Sequence, residues 1–302
     1  MFERVLFPTD FSAYANAVAS CLPSFQTAGV KEVILLHVVR ASDVPLPESY
    51  NLQSYKYIRW SAEENLNLLR MALEGQGLRV RIRIEYGSPV AEIIRVANEE
   101  QVGMIIIGAH GSTLFQELMI GSTAFEVIRQ STVPVLLEKV EVLHEKGHIH
   151  CRWTCTEMFQ RVLHPTDFSP LADEAYQTLQ RMLAAGIKEV VLLHVQDERV
   201  LKHRTTEQIA DFDHQDQVRL KERCGHLSDL GFKTRWILRH GNPAQVTLQV
   251  AKEIKAGSLI LGSQGKSAIR ELLTGSTLDH IVRLTELPVL IVKSPKPDLP
   301  SE

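Results

Sequence analysis

Glycines and serines fall at one spacing twice in this chain. Gly108, Gly111 and Gly121-Ser122 read as Gly-x-x-Gly, nine residues, Gly-Ser, and Gly262, Gly265 and Gly275-Ser276 repeat the pattern. Glycine weakens strands and helices, so a duplicated fold alone does not explain why it returns at the same places. Such a pattern can bind an anion. Without a Cβ, backbone N–H groups can approach a phosphate closely, and successive N–H groups form a concave nest. Gly121-Ser122 would open a helix whose N–H groups and dipole favour a terminal phosphate, with the Ser122 hydroxyl as a further donor. Thr123 follows, and Thr277 takes its place in the second copy. Thr123 and Glu126 also fit a capping box that would hold this helix start.

A carboxylate accompanies each pattern. Residues 2–12, FERVLFPTDFS, return as FQRVLHPTDFS at 159–169, which places Pro8-Thr9-Asp10 and Pro165-Thr166-Asp167 after the first strand of each copy. Asp10 and Asp167 would suit a ribose hydroxyl or a base amino group as acceptors. The backbone around Val38 and Val195, at the ends of KEVILLHVV (31–39) and KEVVLLHVQ (188–196), could read the edge of an adenine. The copies differ inside the motif, with Ala109-His110 and Ser112 against Ser263-Gln264 and Lys266. His110 is a candidate ligand contact. Lys266 either adds a point charge beside a phosphate or is simply solvated.

These residues need strand ends to carry them. Arg4–Pro8 reads as a short strand, with Ser12 as N-cap of a helix over Ala13–Phe25. Glu32–Val39 is a near-continuous apolar run, which suits a parallel strand buried on both faces. A helix over about Tyr55–Glu74 follows, then an alternating strand at 79–86 near a sheet edge, a helix over Ser88–Glu100, and a central strand at Met104–Gly108. Ser122–Gln130 reads as a helix and Pro134–Leu137 as a last strand. Alternating strands and helices of these lengths predict an α/β chain with doubly wound parallel five-stranded sheets. If the strand order is 3-2-1-4-5, the winding reverses between the first and fourth strands, where ligands sit. Asp10 and Gly108 would then face one crevice.

The offset between copies is 157 at their starts and 154 at the glycines, so three residues are lost between them. The copies differ most in ASDVPLPESYNLQS against DERVLKHRTTEQ, read as a variable loop leading into a long helix. The expected division is a first domain at 1–140, a linker at 141–157, a second domain at 158–295 and a tail at 296–302. The last strands, VPVLLEK (133–139) and LPVLIVK (287–293), would leave open edges unless paired with one another as an internal pseudo-dimer.

Composition excludes other classes. With 302 residues, 44% hydrophobic content and a formal net charge of −3, the chain can bury two cores and offers no electrostatic case for nucleic acid or an anionic membrane. No apolar run approaches the roughly 18 residues that span a bilayer. The opening strand with Glu3 is not a signal peptide, and four cysteines do not make a disulfide framework, so a cytoplasmic protein is expected. His144, His148, His150, Cys151 and Cys155 cluster at the join. Of these His150, Cys151 and Cys155 could ligate zinc, but their spacing fits no standard zinc pattern, and a polar linker is the simpler reading. His37 and His194, within LLHV, read as core histidines, and Cys21 and Cys224 as packing residues.

Taken together, PTDFS at 8–12 and 165–169, LLHV at 35–38 and 192–195, and the double glycine pattern resemble the universal stress protein family in its tandem two-domain form. The likeness covers nearly all of the chain apart from the join and tail. It implies a Rossmann-like, adenine nucleotide alpha hydrolase-like fold with strand order 3-2-1-4-5 and two domains paired through their fifth strands. The implied cofactor is ATP or AMP, with Mg²⁺ as a companion of ATP. By this likeness Asp10 and Asp167 contact adenosine, while Gly108, Gly111, Gly121, Ser122 and their copy-two partners hold ribose and phosphates. The implied role is stress resistance without defined turnover, through an unidentified protein partner and with homodimers an open option. A weak ATP hydrolase or transferase using the same pocket, and a nucleotide-free scaffold, remain alternatives. Phosphoryl transfer usually needs a base and metal ligands that the loops scarcely offer, and no P-loop is present.

Overall fold

The computed structural model describes residues 2–40, 52–109, 120–139, 141–145, 148–152, 158–263 and 276–293, with the backbone alone at 52–55, 141–145, 148–152, 184 and 276. The chain divides into two compact units, Met1–Trp153 and Thr154–Glu302.

In the first unit the strands are β1 (Arg4–Pro8), β2 (Glu32–Val39), β3 (Arg79–Tyr86), β4 (Met104–Gly108) and β5 (Val135–Glu138). All pair in parallel, in the order β3-β2-β1-β4-β5. The helices are α1 (Ala13–Ala19), α2 (Leu52–Glu74), α3 (Pro89–Glu99) and α4 (Ser122–Gln130). Val33, Ile34, Leu35 and Leu36 of β2 have no solvent exposure. At about 1.5–3 kcal/mol for each side chain, that run anchors the sheet. The alternating β3 lies at the sheet edge, as its pattern requires.

A hairpin of β6 (Glu141–Glu145) and β7 (His148–Arg152) follows, paired antiparallel. The second unit repeats the sheet with β8 (Arg161–Pro165), β9 (Glu189–Asp197), β10 (Lys233–Gly241), β11 (Ser258–Gly262) and β12 (Val289–Val292), in the order β10-β9-β8-β11-β12. Its helices are α5 (Pro170–Arg181), α6 (Glu198–Leu201), α7 (Thr206–Asp229), α8 (Pro243–Glu253) and α9 (Ser276–Leu284). The expected doubly wound α/β fold, five parallel strands in each of two tandem units, is therefore present. Among the described residues no helix is long and apolar enough to cross a membrane.

Several local expectations need correction. The helix expected over Ala13–Phe25 stops at Ala19, and a 3-10 segment, Leu22–Ala28, takes over. Pro23 is the reason: it cannot donate to the helix ladder but fits the first turn of a new segment. The last strand starts at Val135 rather than Pro134 and runs to Glu138, whose carbonyl accepts from Ala109 N–H at 2.9 Å. The long second helix begins at Leu52, not Tyr55. The segment read as a loop after the second strand forms α6 in copy two, where Thr205 and Gln208 then make a capping box for α7. The first-copy residues 41–51 lie outside the described residues. The join, read as a linker, contains the β6–β7 hairpin. Thr123 and Glu126 form no capping box, because the N-cap of α4 is Gly121 and Thr123 is already inside the helix. Glu126 instead binds Arg129 and Gln130, each at 2.8 Å.

One core difference separates the copies. His164 in β8 stands where β1 has Phe7. Its Nδ1–H donates to the Ile260 carbonyl at 2.9 Å, while Nε2 is buried with no hydrogen-bond partner among the described residues. Burial pushes the ring down to about 4, from the ordinary 6.5. A histidine kept neutral in the fold but free to charge when unfolded adds no penalty above pH 6.5, and costs stability as pH falls from there toward 4. His164→Phe, the residue of the other copy, is expected to remove a loss of about 2 kcal/mol between pH 7 and pH 5. Urea denaturation at the two pH values checks this.

Candidate functional site

A cleft of about 230 Å³ opens at the carboxyl ends of β1 and β4. Its walls include Pro8, Thr9, Asp10, Val38, Gly108, Gly121, Ser122 and Thr123. The sequence-expected residues therefore meet in one place, except His110 and Gly111, which lie outside the described residues. One bond joins the two sides of the intervening segment: Gly121 N–H donates to the Ala109 carbonyl at 2.7 Å. As the N-cap of α4, Gly121 has no side chain to offer the first turn. Helix geometry supplies no partner for those N–H groups, so α4 starts at the cleft with donors to give. By contrast α1 is closed by Ser12, whose Oγ accepts from Ala15 N–H at 3.1 Å.

The Asp-bearing turn braces itself in the same way in both copies. Thr9 Oγ1 accepts from Phe11 N–H at 3.1 Å, and Asp10 Oδ1 accepts from Ser12 N–H at 3.1 Å. Thr166 and Asp167 make the matching bonds to Phe168 and Ser169, at 3.1 and 3.0 Å. Phe11 and Phe168 adopt left-handed backbone, φ 60° and 56°, which non-glycine residues rarely enter without compensation. Compensation comes from the second strand. His37 and His194 donate from Nδ1 to the Thr9 and Thr166 carbonyls, at 2.9 and 2.7 Å. Each ring also lies against the strained phenylalanine, with centroids 4.3 and 4.7 Å apart. The LLHV histidines thus hold the turn that presents the aspartate.

In the second copy the cleft measures about 480 Å³ and takes in Pro165, Thr166, Asp167, Val195, Gly262 and Thr277. Gly265, Lys266 and Gly275 lie outside the described residues, and Ser276 is placed only as the first residue of α9. Gly262 has a packing role besides any ligand role: a Cβ there would stand 2.6 Å from the Leu171 carbonyl oxygen at the start of α5.

This cleft has a wall that single-sequence reading did not find. Asp216 of α7 accepts from Gln196 Nε2 at 2.8 Å, and His194 Nε2 lies 3.2 Å from the same carboxylate. Arg219, one turn on, also lines the cleft, with its guanidinium 5.4 Å from the Phe168 ring. At the rim the Arg199 guanidinium, hydrogen-bonded to Asp197, holds that carboxyl below its usual range. The signal was weak because Asp216 and Arg219 are two polar residues among many on a long helix, and only the helix register turns them toward β9. In the first copy the place of Asp216 belongs to Ala62, which is buried. Arg40, also unforeseen, lines the first cleft where Asp197 lines the second.

Among the described residues no group of three or more His, Cys, Asp or Glu could hold a metal ion. The zinc candidates are not covered by that statement: only the backbone of His150 and Cys151 is placed, opposite Leu143 and Val142, and Cys155 lies outside the described residues.

The sequence profile of the universal stress protein family matches the chain twice, over residues 1–139 and 158–293. Universal stress protein MJ0577 of Methanocaldococcus jannaschii is 30% identical over 155 residues, covering 46% of this chain and 96% of that protein. Universal stress protein Rv2005c of Mycobacterium tuberculosis aligns over both halves, 20% identical over 279 residues and 86% of each chain. A crystal structure of a universal stress protein from Archaeoglobus fulgidus superposes with a TM-score of 0.74 at 25% identity, covering 97% of this chain and 99% of that one.

Asp216→Ala strands the buried Gln196 amide, and a loss of about 1–3 kcal/mol is expected in urea denaturation, with a smaller loss for Asp216→Asn, which keeps an acceptor oxygen. Gly262→Ala forces α5 away from β11 and is expected to cost about 1–3 kcal/mol in the same measurement.

Proposed function

The chain belongs to the universal stress protein family, and from that premise we propose that each half binds an adenine nucleotide, ATP or AMP, and that occupancy rather than turnover is what the protein reports to a partner. The observation that best supports this is the juxtaposition, in the first cleft, of a carboxylate on a braced turn with a helix start that has no side-chain cap. One end suits the hydroxyls and amino group of a nucleoside, the other suits phosphate. In this reading Asp10 and Asp167 take the adenosine, with Val38 and Val195 beside the base. Gly108, Gly121, Ser122, Thr123 and, in the second half, Gly262, Ser276 and Thr277 receive ribose and phosphates.

The second cleft, at about 480 Å³, falls within the range usual for small-molecule sites, and the first, at about 230 Å³, falls below it.

Mass spectrometry of nucleotide released from freshly purified protein, with titration by ATP, tests the reading. Up to two adenine nucleotides per chain are expected, and a hundredfold excess over Kd should stabilise the fold by about 2.7 kcal/mol, seen as a rise in Tm. Asp10→Asn and Asp167→Asn keep the turn's acceptor oxygen and remove its charge, so each should weaken one site and spare the other. Absence of both released nucleotide and any Tm response to ATP would favour a scaffold, and sustained ATP hydrolysis would favour an enzyme.

A further inference from the structure

Helix α2 shows solvent a face that its position in the fold does not demand. Tyr57, Trp60, Leu68 and Met71 are 55–67% exposed, while Ala62, Leu66 and Leu73 on the inner face are buried. The second copy supplies the control. Leu66 and Leu73 correspond to the buried Leu220 and Leu227 of α7, an offset of 154. At that offset the four outer positions hold Asp211, His214, Glu222 and Gly225. At these four positions the same helix in the same fold works without an apolar side chain, although α7 leaves Val218 exposed at the position of Glu64. Two apolar pairs on one helix face, Tyr57 with Trp60 and Leu68 with Met71, kept in one copy alone, mark a contact surface.

Its spacing identifies the occupant. The four residues are separated by three, eight and three positions, intervals that read the same in both directions, with the exposed Glu64 at their midpoint. A two-fold contact joins a surface to its own copy, so that residue i meets j and j meets i, and intervals that read the same in both directions set apolar side chains opposite apolar ones when the helices run antiparallel. We propose that two copies of this chain pair through α2 in antiparallel orientation. Tyr57 then meets the partner's Met71, and Trp60 meets the partner's Leu68, at both ends of the seam. Charge sets the same direction. Lys56 and Glu74 are both exposed and lie at opposite ends of the stripe, so antiparallel helices bring each lysine toward a glutamate, whereas parallel ones would oppose like charges. Two Glu64 carboxylates face one another at the axis and limit the affinity. Covering four side chains of this size removes on the order of 400–600 Å² from each copy, near the lower bound for a specific contact and in the range of weak, reversible ones.

Sedimentation velocity of the full chain over a concentration series tests this pairing. Reversible dimerisation is expected. Leu68→Glu should weaken it roughly tenfold or more without changing the Tm, since Leu68 is exposed. Glu64→Gln should tighten it about fivefold. Lys56→Glu and Glu74→Lys should each weaken it, and the double exchange should restore it. The proposal is overturned by a chain that stays monomeric to roughly millimolar concentration, by a dimer indifferent to Leu68→Glu, or by a double exchange no better than either single one.

Discussion

Parallel strands cannot be joined by a tight turn. Each needs a crossover, and the hand of that crossover is fixed by the twist of the strands. In a sheet ordered β3-β2-β1-β4-β5 the chain winds one way from β1 and the other way from β4, so the connections leaving these two neighbours part and open a cleft between them. Everything in the candidate site depends on that parting. The Pro-Thr-Asp turn leaves β1, Gly108 ends β4, and the Gly121 N–H to Ala109 carbonyl bond draws the start of α4 back to the same place.

Within that frame the repeated residues divide into two kinds. Some hold the frame. Arg4 binds Glu32 at 2.8 Å, Arg161 binds Glu189 at 2.6 Å, and these pairs tie the first two strands of each sheet at the ends away from the cleft. Gly262 belongs partly to this group through its close approach to Leu171. Others hold the site: threonine and aspartate fold the turn onto itself, and the LLHV histidine takes the threonine carbonyl while its ring supports the strained phenylalanine. A histidine in an apolar strand can therefore be structural and still belong to the site, by fixing the residue that would meet the ligand.

The copies also diverge on the face of the long helix. Ala62 packs where Asp216 binds Gln196, and Trp60 stands exposed where α7 has His214. Duplication leaves the cleft intact in both halves while the helix beside it is put to two uses. In α7 it supplies polar groups to the cleft wall, and in α2 an apolar exterior.

The sequence by itself determined the two units, the strand and helix alternation, the parallel sheets and most residues that line the clefts. Those features rest on local or repeated signals: apolar runs such as VILLHVV, glycines at one spacing, and the Pro-Thr-Asp-Phe-Ser turn. Errors arose where a local rule met a competitor. Pro23 broke a helix that the apolar pattern would continue, and Gly121 rather than Thr123 became the cap because the segment enters the helix two residues earlier. Only tertiary structure decided that Asp216 and Arg219 face a cleft, that among the described residues His164 is buried with one nitrogen unpaired, and that the outer residues of α2 are exposed. Each depends on the rotation of an element about its own axis relative to a neighbour distant in sequence. Periodicity shows that a helix has an inner face, but which residues at its margin touch a particular strand is set by packing between elements.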